Sequence, residues 1–140
     1  MTQQFLPLLL KSKDPRLLFI TSGLASLESA ADSGSPRYQA PPAGSLPKPM
    51  GTIAYKSSKV GLNMLMVDWT RILKNDGVKV WCIAPGLLAT GLGGSPELLK
   101  KMGAKDPSLG GAAIRGVVEG KRDADVGKIV REYDTPTQPW

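Results

Sequence analysis

The sequence predicts an α/β layer fold organised around a parallel sheet. Two short apolar runs, RLLFITS at residues 16–22 and VKVWCIA at 78–84, are rich in strand formers and end in small polar or turn residues, as buried parallel strands do. A long segment of helical character, residues 52–75, lies between them, and shorter helical segments follow the second run. Alternation of this kind calls for parallel strands joined by crossover helices. Only three strands can be read, the third at 127–134. The first would present an unpaired edge, so the pattern reads as part of a larger sheet.

Taken in order, residues 2–12 hold Phe5, Leu6, Leu8, Leu9 and Leu10. They read as the end of a buried helix made irregular by Pro7. KSKDP is a turn before the first strand. Residues 23–51 carry Pro36, Pro41, Pro42, Pro47 and Pro49 with several Gly and Ser, a density that no helix or sheet interior tolerates. So long a loop is either a lid or binding loop or a tolerated surface insertion. The helix at 52–75 places Val60, Met64, Leu65, Val67, Trp69, Ile72 and Leu73 around a wide apolar surface, which implies burial against a sheet and a second helix. NDG at 75–77 stops it, with Gly77 free to take the left-handed conformation. After the second strand, SPELLKKMG reads as a short helix with Pro96 in its first turn. DPSLGGAAIRGVVEG reads as another, begun by an Asp106–Pro107 cap. GKIVREYD, 127–134, is the last strand, followed by a tail that ends in Trp140.

Composition excludes several classes. The 140 residues carry 18 Lys and Arg against 12 Asp and Glu, a formal charge of +6. The cations are scattered, and no aromatic residues interleave with them as stacking platforms would require. A nucleic-acid partner is not expected. A mild attraction to a phosphorylated cofactor is. The single cysteine, Cys82, sits in an apolar run, and there is no histidine. Internal disulfides, His-based triads and His metal sites are therefore ruled out. MTQQFLPLLL is a poor signal peptide, being short and lacking a basic leading region. No apolar run is long enough to cross a bilayer. The expectation is a soluble, cytoplasmic protein in a reducing compartment, with no membrane and no metal.

The stretch YKSSK, Tyr55 to Lys59, carries the chemistry. Residues four apart share one helix face. A tyrosine hydroxyl is a poor proton donor or acceptor at neutral pH, with a pKa of roughly 10, but a neighbouring ammonium favours its phenolate. So flanked, it can give a proton to a developing alkoxide or take one from an alcohol. Taken alone the signal is weak, and such a pair is usually a packed ring beside a solvated ammonium. Context strengthens it: Ser22 stands at the tip of the first predicted strand, and APGLLAT, 84–90, ends the second. Ligands of open α/β sheets bind outside the carboxyl ends of the strands. A serine hydroxyl there can hold a carbonyl oxygen, although turn or cap roles for Ser22, and simple strand termination for Pro85–Gly86, account for these residues as well.

These elements together, ITS before a loop, YKSSK, then IAPGLLAT, resemble the short-chain dehydrogenase/reductase family. They match its Ser, its Tyr-x-x-x-Lys and its Pro-Gly-x-x-x-Thr elements in the right order. TGLGG and the ending GKIVREYDTPTQPW resemble the small carbonyl-reductase-like members. The resemblance runs over essentially the whole chain. It implies a partial Rossmann-like, doubly wound parallel sheet of about three strands. It implies catalytic roles for Ser22, which would orient the carbonyl, for Tyr55 as general acid or base, and for Lys59, which would lower the Tyr55 pKa and bind the nicotinamide ribose. Tyr55, Lys59, Pro85, Gly86, Leu88 and Thr90 would contact the cofactor, with the backbone around Leu88 and Thr90 at the carboxamide end. Ser26 is a weaker alternative to Ser22. Hydride transfer belongs to the cofactor, expected to be NADP(H) rather than NAD(H), with a carbonyl compound or alcohol as substrate.

The family's Thr-Gly-x-x-x-Gly-x-Gly turn, which brings a helix N-terminus to the pyrophosphate, has no match here. TGLGGSPELL, 90–99, has the wrong spacing and follows the wrong strand. Asn63 lies two turns beyond Tyr55 on the same helix and is not the family's catalytic asparagine. Residues 1–140 therefore read as a single domain, the C-terminal catalytic half of such an enzyme, with 23–51 as a Pro-rich insertion loop. Remote contacts position a reacting centre, so this chain alone is expected to bind cofactor weakly or not at all. The leading reading is an NADP(H)-dependent oxidoreductase. A second is a shortened, inactive remnant acting through homo-oligomer contacts on the 52–75 helix, with Met64, Met66, Trp69 and Leu73 as surface or, equally, as core. A third keeps the acid–base residues without redox chemistry, as an isomerase or dehydratase would.

Overall fold

The computed structural model describes all residues except 36, 37, 93 and 132–135. Helix α1 spans Thr2–Leu9, strand β1 Arg16–Ile20, helix α2 Leu27–Ala31, helix α3 Ile53–Ile72 and strand β2 Lys79–Ile83. Helix α4 (Pro96–Lys101), helix α5 (Pro107–Val118) and strand β3 (Ile129–Val130) complete the order, with single 3-10 turns at Lys74–Asp76 and Asp123–Asp125. The three strands form one parallel sheet in the order β1-β2-β3. It is a partial doubly wound α/β sheet, as expected.

Alternation along β2 explains the two layers. Val80, Cys82 and Ala84 point to the side of α3, where they pack with Met66, Leu73, Val78 and Ile129, and with the flanking Leu6, Leu9, Leu17, Phe19 and Trp69. Trp81 and Ile83 point the other way, onto Val117 and Val130, with Leu18 and Ile114 beside them. β2 is thus covered on both faces, as a central parallel strand must be.

The helix ends follow their sequence signals. Asp106 Oδ1 accepts from Ser108 N at 2.8 Å and Ser95 Oγ accepts from Leu98 N at 3.1 Å, each ahead of a first-turn proline. Gly77 closes the turn after α3 with φ 67°.

Several expectations are corrected. α1 has no buried residue; Phe5 and Leu8 face outward, because only the side bearing Leu6 and Leu9 finds a partner. The loop expected over 23–51 opens with α2, which ends before the first proline and is capped by Ser26. On α3, Met64, Leu65, Val67 and Ile72 are exposed, while Met66 and Leu73 belong to the core. The wide apolar surface is covered on one side only. The third strand is shorter than 127–134, and residues 132–135 lie outside the described part.

An ionic cluster ties the amino ends of the strands together. Arg16 reaches Asp123 Oδ1 at 2.6 Å and Asp14 Oδ2 at 2.7 Å, and Lys79 reaches Asp123 Oδ2 at 2.6 Å and Asp14 Oδ1 at 2.9 Å. Arg16 also donates to the Val117 carbonyl at 2.9 Å and lies over the Trp81 ring, 5.4 Å from its centroid. Hydrogen bonds from Arg16 and Lys79 hold the Asp123 carboxyl down to about 2.

Candidate active site

Tyr55 and Lys59 stand one turn apart near the start of α3. The Lys59 ammonium lies 5.9 Å from the centroid of the Tyr55 ring and donates to the Ile20 carbonyl at 2.9 Å. That carbonyl is the last of β1, so the pair sits at the carboxyl end of the sheet. The Tyr55 ring is half-buried, and among the described residues its hydroxyl has no hydrogen-bond partner.

Ser22 follows two residues after β1. Its Oγ accepts from Leu24 N at 3.1 Å, which leaves the hydroxyl hydrogen free to be donated. Its carbonyl accepts from Ala25 N at 3.0 Å and from Gln138 Nε2 at 3.2 Å. Ser26, by contrast, is buried. Its hydroxyl donates to the Trp140 main-chain oxygen at 3.1 Å and caps α2 by accepting from Ser29 N at 3.0 Å. A serine so committed holds structure rather than a ligand.

Ile20 pairs with Ile83 across the sheet, so Ser22 and Pro85 leave neighbouring strand ends side by side. Gly86 takes φ 88°, a conformation that excludes side chains at little cost only for glycine. The loop is then pinned to the segment after α4: Ala89 N donates to Lys105 O at 2.8 Å and Lys105 N to Leu87 O at 2.9 Å. Thr90 N donates to Leu88 O at 2.8 Å, and Thr90 Oγ1 accepts from Leu92 N at 3.3 Å. Gly110 of α5 lies so close beneath that a Cβ there would collide with Leu88 and press on Pro85. Of the TGLGG stretch, Gly93 lies outside the described residues.

Two polar residues that the motifs did not point to hold this corner together. Asn63 is buried among apolar neighbours of α3; its Nδ2 donates to Ala25 O at 3.1 Å and its Oδ1 accepts from Thr21 Oγ1 at 2.6 Å. Positions 55, 59 and 63 recur every four residues, so a polar third member on the face of Tyr55 and Lys59 was the available signal. Gln138 had none, because it reaches Ser22 from 116 positions away.

Cys82 is core. Burial pushes its thiol up to about 12, so it supplies no thiolate. Among the described residues no group of His, Cys, Asp or Glu is placed to hold a metal, and no helix is long and apolar enough to cross a membrane.

A short chain dehydrogenase family model matches residues 42–97, the span that holds Tyr55, Lys59 and the Pro85–Thr90 loop. The chain is 50% identical to short-chain dehydrogenase/reductase eupG of Phoma sp, an alignment covering 99% of this chain and 52% of that protein. The chain belongs to the short-chain dehydrogenase/reductase family. It is also 46% identical to the family member tropE of Talaromyces stipitatus, over 100% of this chain and 53% of that one. It thus spans about half the length of the curated relatives it matches. The fold is that of carbonyl reductase Sniffer of D. melanogaster (TM-score 0.68, 21% identity, 99% of this chain and 51% of that one). It is likewise that of Thermoplasma acidophilum aldohexose dehydrogenase (TM-score 0.66, 15% identity, 93% and 51%).

Proposed function

We propose that this chain is the catalytic, nicotinamide-side half of an NADP(H)-dependent oxidoreductase that interconverts a carbonyl compound and its alcohol, with residues 1–140 acting as one domain. The observation that carries the reading is the Lys59 ammonium, 5.9 Å from the Tyr55 ring centroid and fastened to the Ile20 carbonyl. It sits where ligands of open α/β sheets bind.

The residues present fit the reacting end of a nicotinamide cofactor: an ammonium, two hydroxyls free to donate and a pinned loop surround the ends of β1 and β2. The bound cofactor supplies or accepts the hydride. Ser22 donates its hydroxyl hydrogen to the substrate carbonyl oxygen, which fixes and polarises it. Tyr55 delivers the proton to that oxygen as it gains charge, and recovers it from an alcohol in the reverse direction. Lys59, its ammonium held beside the Tyr55 ring by the Ile20 carbonyl, would bind the nicotinamide ribose. Pro85, Gly86, Leu88 and Thr90 would hold the carboxamide end. A chain of formal charge +6 favours the more anionic NADPH over NADH.

NADPH oxidation against a panel of apolar aldehydes and ketones, measured with NADPH raised to offset the weak binding expected of this chain alone, tests the reading. Tyr55→Phe should lose turnover by at least about 10²-fold, the contribution of one positioned acid or base, with the fold intact. Substantial activity in that variant would sink the mechanism.

A second reading has its own observation. Apolar side chains on the outer side of α3 are left uncovered, and the chain would act by association through them. Of the residues expected to serve such a surface, Met66 and Leu73 are core, and Met64 is exposed on α3 together with Leu65. A folded chain that binds neither NADPH nor NADH, but self-associates, would favour this reading.

A further inference from the structure

We propose that residues 136–140 form a strap that sets the position of the Ser22 loop, with Gln138 as its positioning residue. The role assigned to Ser22 rests on the oxidoreductase reading; the strap itself does not.

The strap is anchored at one end and tied at the other. Gln138 N donates to the Ile129 carbonyl at 2.8 Å, an antiparallel bridge onto β3. From there the tail reaches the loop after β1, on the far side of β2 in the sheet. Among the described residues, Gln138 Nε2 donates to Ser22 O at 3.2 Å and Ser26 Oγ to Trp140 O at 3.1 Å, and Glu28 N at the start of α2 donates to Trp140 O at 2.6 Å. Gln138 is itself buried and packs over Gly23, where a Cβ would stand 3.7 Å from its Oε1.

The loop is thereby held from two sides. Asn63 fixes Thr21 and Ala25 to α3, the helix that carries Tyr55 and Lys59. Gln138 fixes the carbonyl of Ser22 from the sheet side. A peptide group held at its oxygen cannot tilt freely, and the serine hydroxyl next to it keeps one direction. Preorganised donors act only when aimed at the place where charge develops, and a misplacement of about 1 Å can cost 10²-fold in rate. The remaining tie of Ser22 O, to Ala25 N at 3.0 Å, lies within the loop and moves with it.

Gln138→Met in the full chain keeps the side-chain volume and the backbone bridge but removes the amide donor. Amide hydrogen exchange at Ala25 and Glu28 should become about fivefold faster, the factor one hydrogen bond is worth, while Val80 and Cys82 in β2 stay unchanged. Unchanged loop exchange, or an equal rise throughout the chain, would overturn the strap. In carbonyl reduction, kcat and kcat/KM should fall together with NADPH affinity unchanged, the pattern of a lost transition-state contact. A loosened loop with undiminished kcat would overturn the positioning role. Absence of turnover in the unmodified chain would count against the oxidoreductase reading, leaving the strap to be decided by exchange alone.

Discussion

Tyr55 and Lys59 meet because one helical turn separates them, and the lysine is held in place because the last carbonyl of β1 lies within its reach. Asn63, one turn further, connects the same face to the loop that carries Ser22. Asn63→Leu keeps the branched side-chain shape but strands the Ala25 carbonyl and leaves the Thr21 hydroxyl only its longer bond to the Lys59 carbonyl, 3.4 Å. It should cost about 1–3 kcal/mol, measured by urea unfolding; a loss below about 0.5 kcal/mol would contradict the role given to Asn63. The meeting of Tyr55 and Lys59 was legible in the sequence since its signal is a spacing of four on one helix, and the place of Ser22 since it follows a strand end. Asn63 was visible only as a polar residue in an apolar stripe. Gln138 was invisible, because a bond that spans 116 positions leaves no local pattern. Burial distinguishes the two serines: Ser26 is enclosed and committed to a cap and to Trp140, whereas Ser22 is half-buried.

At the scale of elements, the Pro85–Thr90 loop owes its shape to α5 as much as to its own Pro-Gly. Gly110 lets the helix approach so closely that any side chain there meets Leu88. Gly110→Ala should force Leu88 aside, lower stability by about 1–3 kcal/mol in thermal or denaturant unfolding, and weaken NADPH binding. A variant with unchanged stability and unchanged affinity would show that the close approach is dispensable. The elements themselves were readable where periodicity and end signals agree: α3 with Gly77 behind it, α4 behind Ser95, α5 behind Asp106. The faces were less readable. The apolar residues of α3 do not all turn inward, and periodicity alone does not say how many partners a helix has. α2 escaped notice because the prolines that follow dominate the composition of its neighbourhood.

At the scale of the molecule, the two ends of the sheet do different work. The amino ends of β1 and β2 carry the Asp14, Arg16, Lys79 and Asp123 cluster, while the carboxyl ends carry the candidate site. Because Arg16 and Lys79 hold Asp123 down to about 2, the unfolded chain, with an ordinary carboxyl near 4, binds that proton first as the pH falls. The cluster's contribution is therefore fully present above about pH 4 and is lost as pH falls toward about 2. Asp14, lowered by the same two cations, adds to the effect in the same direction. Asp123→Asn should be less stable at neutral pH and should show a flatter loss of stability between those limits. Superimposable stability–pH curves would refute the linkage.

Transfer of label from cofactor to product decides whether Tyr55 takes part in hydride chemistry. The chain is incubated with NADPH bearing deuterium at the transferable C4 position and a reducible carbonyl compound, and the alcohol is analysed by mass spectrometry, with Tyr55→Phe in parallel. Deuterium should appear on the carbinol carbon, with at least about 10²-fold less labelled product from Tyr55→Phe. No labelled alcohol from the unmodified chain, or equal label from both, would contradict it.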